Sequence, residues 1–293
     1  MQAALLPDRG VVKVHGEDSR RFLNGLLTAD IEHLTPGLAR YAALLSPQGK
    51  IVVDFLVTEA STEDGGGFFI DCPRVLAPDL AEKFGFYKLR AKVTIENLSD
   101  KLSVMTFWNG GGQSEYGLTY ADPRHTALGS RVILPPDAAA DAVKDLGAAL
   151  TDTAAYESHR IGLGIPRGGQ DFSYGDTFPH EADMDQLAGI DFQKGCYVGQ
   201  EVVSRVEHRA SARKRIVPIS YAEFAPISGL QVVAGEKEIG HLHSTANKRG
   251  LAMLRLDRAA EAIGAGLALT AGGVEIKLVK PDWARFDFPG ERP

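Results

Sequence analysis

The chain has 293 residues, 44% of them hydrophobic and 24% charged, enough apolar material for a sizeable core and too much for a disordered or fibrous chain. Lys and Arg number 32 against 38 Asp and Glu, and the net charge of −6 excludes a global basic field for nucleic acid, so any anion site must be local. Two cysteines exclude a disulfide framework and a C-x-x-C metal knuckle; with an N-terminus that shows no basic stretch leading into a long apolar run, they give the expectation of a cytoplasmic protein with neither a membrane nor a nucleic-acid partner.

In chain order, a short strand is expected around Val11–Val14. A helix in "EDSRRFLNGLLTADI" then gathers Phe22, Leu23, Leu26, Leu27 and Ile31 on one side, with Glu17 and Asp18 at its positive end. "LARYAALLSPQGKIVVDFLVTEA" reads as two strands joined by a turn at Ser46–Gly49, because apolar and β-branched runs flank Pro and Gly. "GGGFFIDCP" gives another strand, "PDLAEKFGFYKLR" a helix with Pro78 in its first turn, and "KVTIENL" and "LSVMTFW" two more strands. The tracts Gly65–Gly67 and Gly110–Gly112 read as hairpin tips.

Residues 137–163 carry a helical pattern. "GIPRGGQDFSYGDTFPHEADMDQLAGIDF" then runs almost without periodicity, and a loop of that length in a compact protein is usually functional or wrapped around something. Beyond Ser211, "KRIVPISYA", "GLQVVAG", "EIGHLHST", "GLAMLRL", "LALT" and "VEIKLVK" are short strands at regular spacing with Gly turns, the pattern of a small all-β barrel or sandwich.

Three features carry chemistry. Cys196, in "KGCYVGQE", lies two residues after Lys194, between Gly195 and Tyr197, and just before a helical pattern in "GQEVVSRVEHR". Cations and a helix N-terminus favour the thiolate, although a small buried cysteine fits the same residues. Cys72, between Asp71 and Pro73 at a strand end, reads as structural. Arg205, Arg209, Arg213, Lys214 and Arg215 form a basic strip, either a solvated face or a dock for a carboxylate or phosphate. Asp54 interrupts the apolar run "IVVDFLV", and Glu181 lies in "FPHEAD"; an acid so placed either faces water or is held in a pocket. His241 and His243 share a strand face without a third ligand nearby, and no metal site is expected. No P-loop, dinucleotide fingerprint, G-x-S-x-G or H-E-x-x-H is present.

The motif "KGCYVGQE" resembles the K-G-C-Y-x-G-Q-E signature of the YgfZ-type folate-binding proteins. Lys194, Gly195, Cys196, Tyr197, Gly199, Gln200 and Glu201 all match, and "GEDSRRFLNGLLTADI", "SPQGKIVVDFLV", "RIGLGIP" and "FPHEADMDQLAGIDF" extend the resemblance over nearly the whole chain. That family is similar in fold to the aminomethyltransferase T-protein of the glycine cleavage system and is implicated in making or repairing iron–sulfur clusters. The resemblance implies an α+β, aminomethyltransferase-like folate-binding fold: two α+β subdomains in residues 1–208, a small β-barrel in 209–286 and a tail in 287–293.

It further implies tetrahydrofolate or a derivative as cofactor, iron–sulfur client or assembly proteins as partners, and a monomer. Cys196 takes the catalytic place, and Asp54, Glu181, Lys194, Tyr197, Gln200, Glu201 and Arg205 the cofactor-binding places, with the Arg205–Arg215 strip receiving a glutamate tail. The T-protein often carries two adjacent acids where this chain has Val53 and Asp54, which weighs against aminomethyl transfer. The expected role is a folate-dependent accessory factor with no firmly assigned turnover of its own; the alternatives are a one-carbon or aminomethyl transferase and a thiol redox protein.

Overall fold

The structure is a computed structural model that describes residues 1–63, 65–208, 212–222 and 224–290. The chain separates into two compact units, one formed by residues 1–153 and 187–200, the other by 154–186 and 201–293.

The first unit contains two five-stranded sheets. Its elements are β1 (Gln2–Leu5), β2 (Arg9–His15), α1 (Ser19–Leu26), β3 (Ala39–Leu45), β4 (Ile51–Glu59), β5 (Phe68–Pro73), α2 (Ala77–Lys88), β6 (Thr94–Asn97), β7 (Ser103–Trp108), β8 (Leu118–Ala121), β9 (Ser130–Leu134), α3 (Ala139–Asp145) and β10 (Ala149–Leu150). One sheet runs β3-β4-β5-β2-β6, the other β10-β1-β7-β9-β8. The expected hairpin forms with Gly49 at φ +78, a conformation that glycine adopts without strain, and Ala43 lies opposite Asp54 across it.

Strand alternation gives the β3-β4-β5-β2-β6 sheet two different faces. Val53, Phe55 and Val57 of β4 join Leu23, Leu26 and Leu27 at α1, and Leu80 and Phe84 of α2, in one apolar core. Asp54 on β4 and Asp71 on β5 are buried as well, away from that core. Buried carboxylates need partners, and both sheets supply them. The Asp71 carboxylate accepts from Arg9 Nε at 2.6 Å, Arg131 of β9 at 2.6 Å and the Tyr120 hydroxyl of β8 at 2.9 Å. Burial raises the Asp71 pKa, but Arg9 and Arg131 outweigh it and hold the carboxyl below the usual carboxylate range.

The second unit holds α4 (Thr153–Gly162, its first residue contributed by the other unit), most of α5 (Gln200–His208), β11 (Lys214–Tyr221), β12 (Gln231–Ala234), β13 (Lys237–Ala246), β14 (Arg249–Arg255), α6 (Leu256–Gly264), β15 (Leu269–Ala271) and β16 (Val274–Leu278). The six strands close into a barrel in the order β11-β14-β13-β12-β15-β16, the all-β unit expected from the tail. The helical pattern of 137–163 is realised as α3 and α4 with β10 between them. The segment from 166 to 199 has neither helix nor strand, as its lack of periodicity predicted. Its earlier part is fixed by charge: buried Asp171 accepts from Arg160 at 2.8 Å and from the backbone N–H groups of Arg167 at 2.9 Å and Ser244 at 3.1 Å. Among the described residues no helix is long and apolar enough to cross a membrane.

Replacing Asp71 with Asn leaves buried Arg131 and half-buried Arg9 without their shared counter-charge, and a stability loss of about 3–5 kcal/mol is expected in urea denaturation. A carboxyl depressed in the folded state stabilises above its unfolded pKa and loses that contribution as pH falls through the folded value. The wild-type protein should therefore lose stability on acidification below about pH 4, and Asp71→Asn should flatten that limb.

Candidate functional site

The cysteine motif closes the 166–199 loop and is anchored at several points within the first unit. Asp191 Oδ1 accepts the backbone N–H groups of Gln193 at 2.8 Å and Lys194 at 3.0 Å, which turns the chain. Thr28 Oγ1 donates to the Gly189 carbonyl at 2.6 Å and accepts from Ala43 N–H at 2.9 Å, tying the loop to β3. Lys194 Nζ donates to the carbonyls of Asn24, Leu27 and Ala29, each at 2.7 Å. Those carbonyls lie at and beyond the C-terminal end of α1, where backbone acceptors have no helical partner and the helix dipole favours a cation.

All three donors of the ammonium are thereby engaged in holding the loop. Burial pulls the Lys194 pKa down to about 8, against the charges of Asp30 and Asp191, and the group remains an ammonium at neutral pH. It also lies 5.4 Å from the centre of the Tyr197 ring. Tyr197 is buried, and that burial, aided by Asp191, pushes its hydroxyl up to about 12. Gly199 has φ +82, and a Cβ there would stand 2.6 Å from the Ser46 carbonyl, so the glycine permits contact with the β3–β4 turn. A Cβ on Gly195 would meet nothing within 4 Å. Held in this way, Cys196 is exposed, four residues ahead of Gln200, the first residue of α5. Cys72 is buried, its thiol pushed up to about 12 chiefly by that burial.

Asp54 is 6% exposed and accepts from the Tyr41 hydroxyl at 2.9 Å. The Arg124 guanidinium lies 5.6 Å from the Tyr41 ring centre and grips Asp122 through Nε at 2.9 Å and Nη2 at 2.6 Å. Arg131 Nε, 3.2 Å from Asp122, continues the network to Asp71. Sequence reasoning found Asp54 but missed Tyr41, Arg9, Asp71, Asp122, Arg124 and Arg131. The test that picked out Asp54, an acid inside an apolar strand, applies equally to Asp71 in "FFIDCP". Val53 is 2% exposed in the helix-covered core, so on this strand positions 53 and 54 serve opposite faces.

The structure brings Asp54, Lys194, Cys196 and Tyr197 into the first unit with Gln200 at its edge; Glu181, Glu201 and Arg205 belong to the second. Glu181 Oε2 accepts Phe178 N–H at 2.9 Å, while Glu201 and Arg205 are exposed on α5. The basic strip is not a uniform face. Arg213 and Lys214 are exposed, whereas Arg215 is buried and paired with Asp183 at 3.0 Å and Asp185 at 2.7 Å; Arg209 lies outside the described residues, as do residues 210, 211 and 291–293. His180, Asp185 and Glu207 offer ligand atoms within 4.8 Å of one another, but both oxygens of Asp185 are engaged by Arg215, a poor setting for a cation.

Comparison with known proteins places these features. Residues 8–113 match the GCVT N-terminal domain and residues 213–286 the CAF17 C-terminal beta-barrel domain. The chain is 34% identical over 232 residues to the iron-sulfur cluster assembly factor IBA57 homolog, mitochondrial, of Mycosarcoma maydis, covering 74% of this chain and 57% of that one. It is 27% identical over 307 residues to human iron-sulfur cluster assembly factor IBA57, mitochondrial, covering 95% and 84%. The chain belongs to the CAF17/IBA57-type family. The YgfZ-type resemblance names the same family.

Like the first of these relatives, several fungal members are longer, and this CAF17/IBA57-type chain spans 54–58% of the length of three of them. The glycine cleavage system aminomethyltransferase T from Bartonella henselae superposes with a TM-score of 0.77 at 14% identity, covering 98% of this chain and 87% of the other, and so establishes an aminomethyltransferase-like α+β fold with a closed barrel. The relatives' names carry the word mitochondrial and overturn the expected cytoplasmic location. Unpaired cysteines report a reducing environment without distinguishing one such compartment from another.

For the motif lysine, Lys194→Met is expected to leave three carbonyls without their donor and to cost about 1–3 kcal/mol in thermal unfolding. An unchanged melting temperature would show that the loop is held by Thr28 and Asp191 alone.

Proposed function

We propose that the protein is an iron–sulfur cluster assembly factor that binds tetrahydrofolate or a derivative, works through Cys196, and acts on iron–sulfur client or assembly proteins. The observation that carries the proposal is the presentation of Cys196: an exposed thiol on a loop pinned by Lys194, Thr28 and Asp191, in a chain whose relatives are named for cluster assembly. As thiolate, such a group is both a nucleophile and the sulfur ligand that iron in clusters takes.

The folate part rests on the aminomethyltransferase-like fold and on Asp54. A carboxylate fixed by a tyrosine hydroxyl suits the N–H groups of a pterin, so the residues present fit that ligand. When bound, the folate would supply its one-carbon chemistry; the chain would supply Asp54 to orient the pterin, with Glu181, Gln200, Glu201 and Arg205 as further contacts and exposed Arg205 suited to a glutamate carboxylate. Lys194 and Tyr197 act in this proposal by shaping the loop. A folate module over residues 1–208 and a barrel over 209–286 remain the proposed division of labour.

The transferase alternative draws on fold alone, and Val53, turned into the apolar core, offers no second acid to it. The thiol redox alternative lacks a resolving partner in Cys72, which is buried and hard to ionise.

Anaerobic calorimetric titration of tetrahydrofolate tests the cofactor: wild type and Cys196→Ala should bind, and Asp54→Ala should bind at least tenfold more weakly. In cells that depend on this protein, Cys196→Ala should abolish the activity of iron–sulfur enzymes while the variant stays folded; normal enzyme activity would remove the cysteine from the proposal.

A further inference from the structure

Asp54 stands at one end of a buried chain of polar side chains that reaches the second sheet. Its neighbour Tyr41 lies on β3 in the same sheet, 2% exposed, with its hydroxyl 2.9 Å from Asp54 Oδ2. Burial, and then the Asp54 charge, raise the Tyr41 pKa well above its ordinary value, so the hydroxyl keeps its proton and donates. Beyond Tyr41 comes Arg124, with a side chain 8% exposed and two nitrogens on Asp122. Burial would raise the Asp122 carboxyl, yet Arg124, followed by Arg131, brings it down to about 2.

We infer that Tyr41 is a positioning residue for the Asp54 carboxylate in ligand binding, and that Arg124, itself fixed by Asp122, acts through the Tyr41 ring. The inference rests on the proposal that Asp54 contacts folate. A carboxylate on a strand retains rotation about its terminal torsion, and a donor on one oxygen removes most of that freedom before the ligand arrives. Tyrosine suits the place because its rigid ring carries the hydroxyl across the width of the hairpin with only two torsions to fix. The guanidinium beside the ring face limits where the ring can go, and its two bonds to Asp122 limit where the guanidinium can go. Orientation of Asp54 is therefore set by β3 and by the connection between β8 and β9.

The test is tetrahydrofolate affinity in a double-mutant cycle, measured by anaerobic calorimetry beside unfolding midpoints. Tyr41→Phe keeps the ring and removes only the donor; it should weaken binding roughly tenfold, the ordinary effect of losing a hydrogen bond to a charged group, and lower the midpoint modestly while the protein stays folded at the temperature of the titration. In an Asp54→Ala background the same substitution should change affinity less than about twofold, because nothing remains for the hydroxyl to orient. Arg124→Lys, which keeps the charge but loses the fork on Asp122, should weaken binding by a smaller factor that likewise disappears in Asp54→Ala. Wild-type affinity in Tyr41→Phe, or an equal loss in both backgrounds, overturns the inference while leaving folate binding intact. Absence of binding by the wild-type protein instead removes the folate proposal, and the inference with it.

Discussion

The first unit depends on the Asp71 carboxylate more than on any other single group. It receives an arginine from its own sheet, an arginine from the facing sheet and a tyrosine hydroxyl beside the latter. An ion buried this deeply is tolerable only when its partners are complete, because removing charges from water costs more than an isolated pair recovers. The arrangement is correspondingly directional: the two sheets meet in the alignment that brings Arg131 and Tyr120 onto Asp71, whereas an apolar interface of the same area would tolerate sliding.

On its other face the β3-β4-β5-β2-β6 sheet is an ordinary helix-covered core, and the cysteine loop is fastened to the same body. Lys194 ends α1, Val198 packs against the apolar core and Gly199 rests on the β3–β4 turn that leads into the Asp54 strand. The motif's residues thus divide by physical role. Lys194, Tyr197 and Gly199 give the loop its shape, and Cys196 is left facing solvent, as are Gly195 and Glu201. A thiol that must meet another macromolecule needs exposure, and exposure with a fixed backbone requires this much anchoring.

Much of the architecture was legible in the sequence where one physical signal dominated. The barrel strands showed short β-rich runs separated by glycine turns, and the β3–β4 hairpin announced itself through "SPQG". Helix α6 was missed because nine residues between strands carry too few turns to establish a period, and β8 and β9 because they are only four and five residues long and Arg131, whose partner Asp71 is distant in sequence, breaks the apolar run of β9. Asp54 was visible as a polar residue in an apolar run; its tyrosine was not, since the pairing depends on strand register. The part played by Lys194 was hidden for a different reason. Its acceptors are backbone carbonyls, which leave no mark on residue identity.

Ending a helix with a side chain from a distant loop makes the helix's length a functional variable. Each residue added to or removed from α1 turns its last carbonyls by about 100° and moves them about 1.5 Å along the axis. A single-residue insertion in Ser19–Leu26 would therefore carry the acceptors away from Lys194 while leaving every residue of the cysteine motif in place. Integrity of the thiol loop is in this sense written into the first helix, more than a hundred and fifty residues upstream.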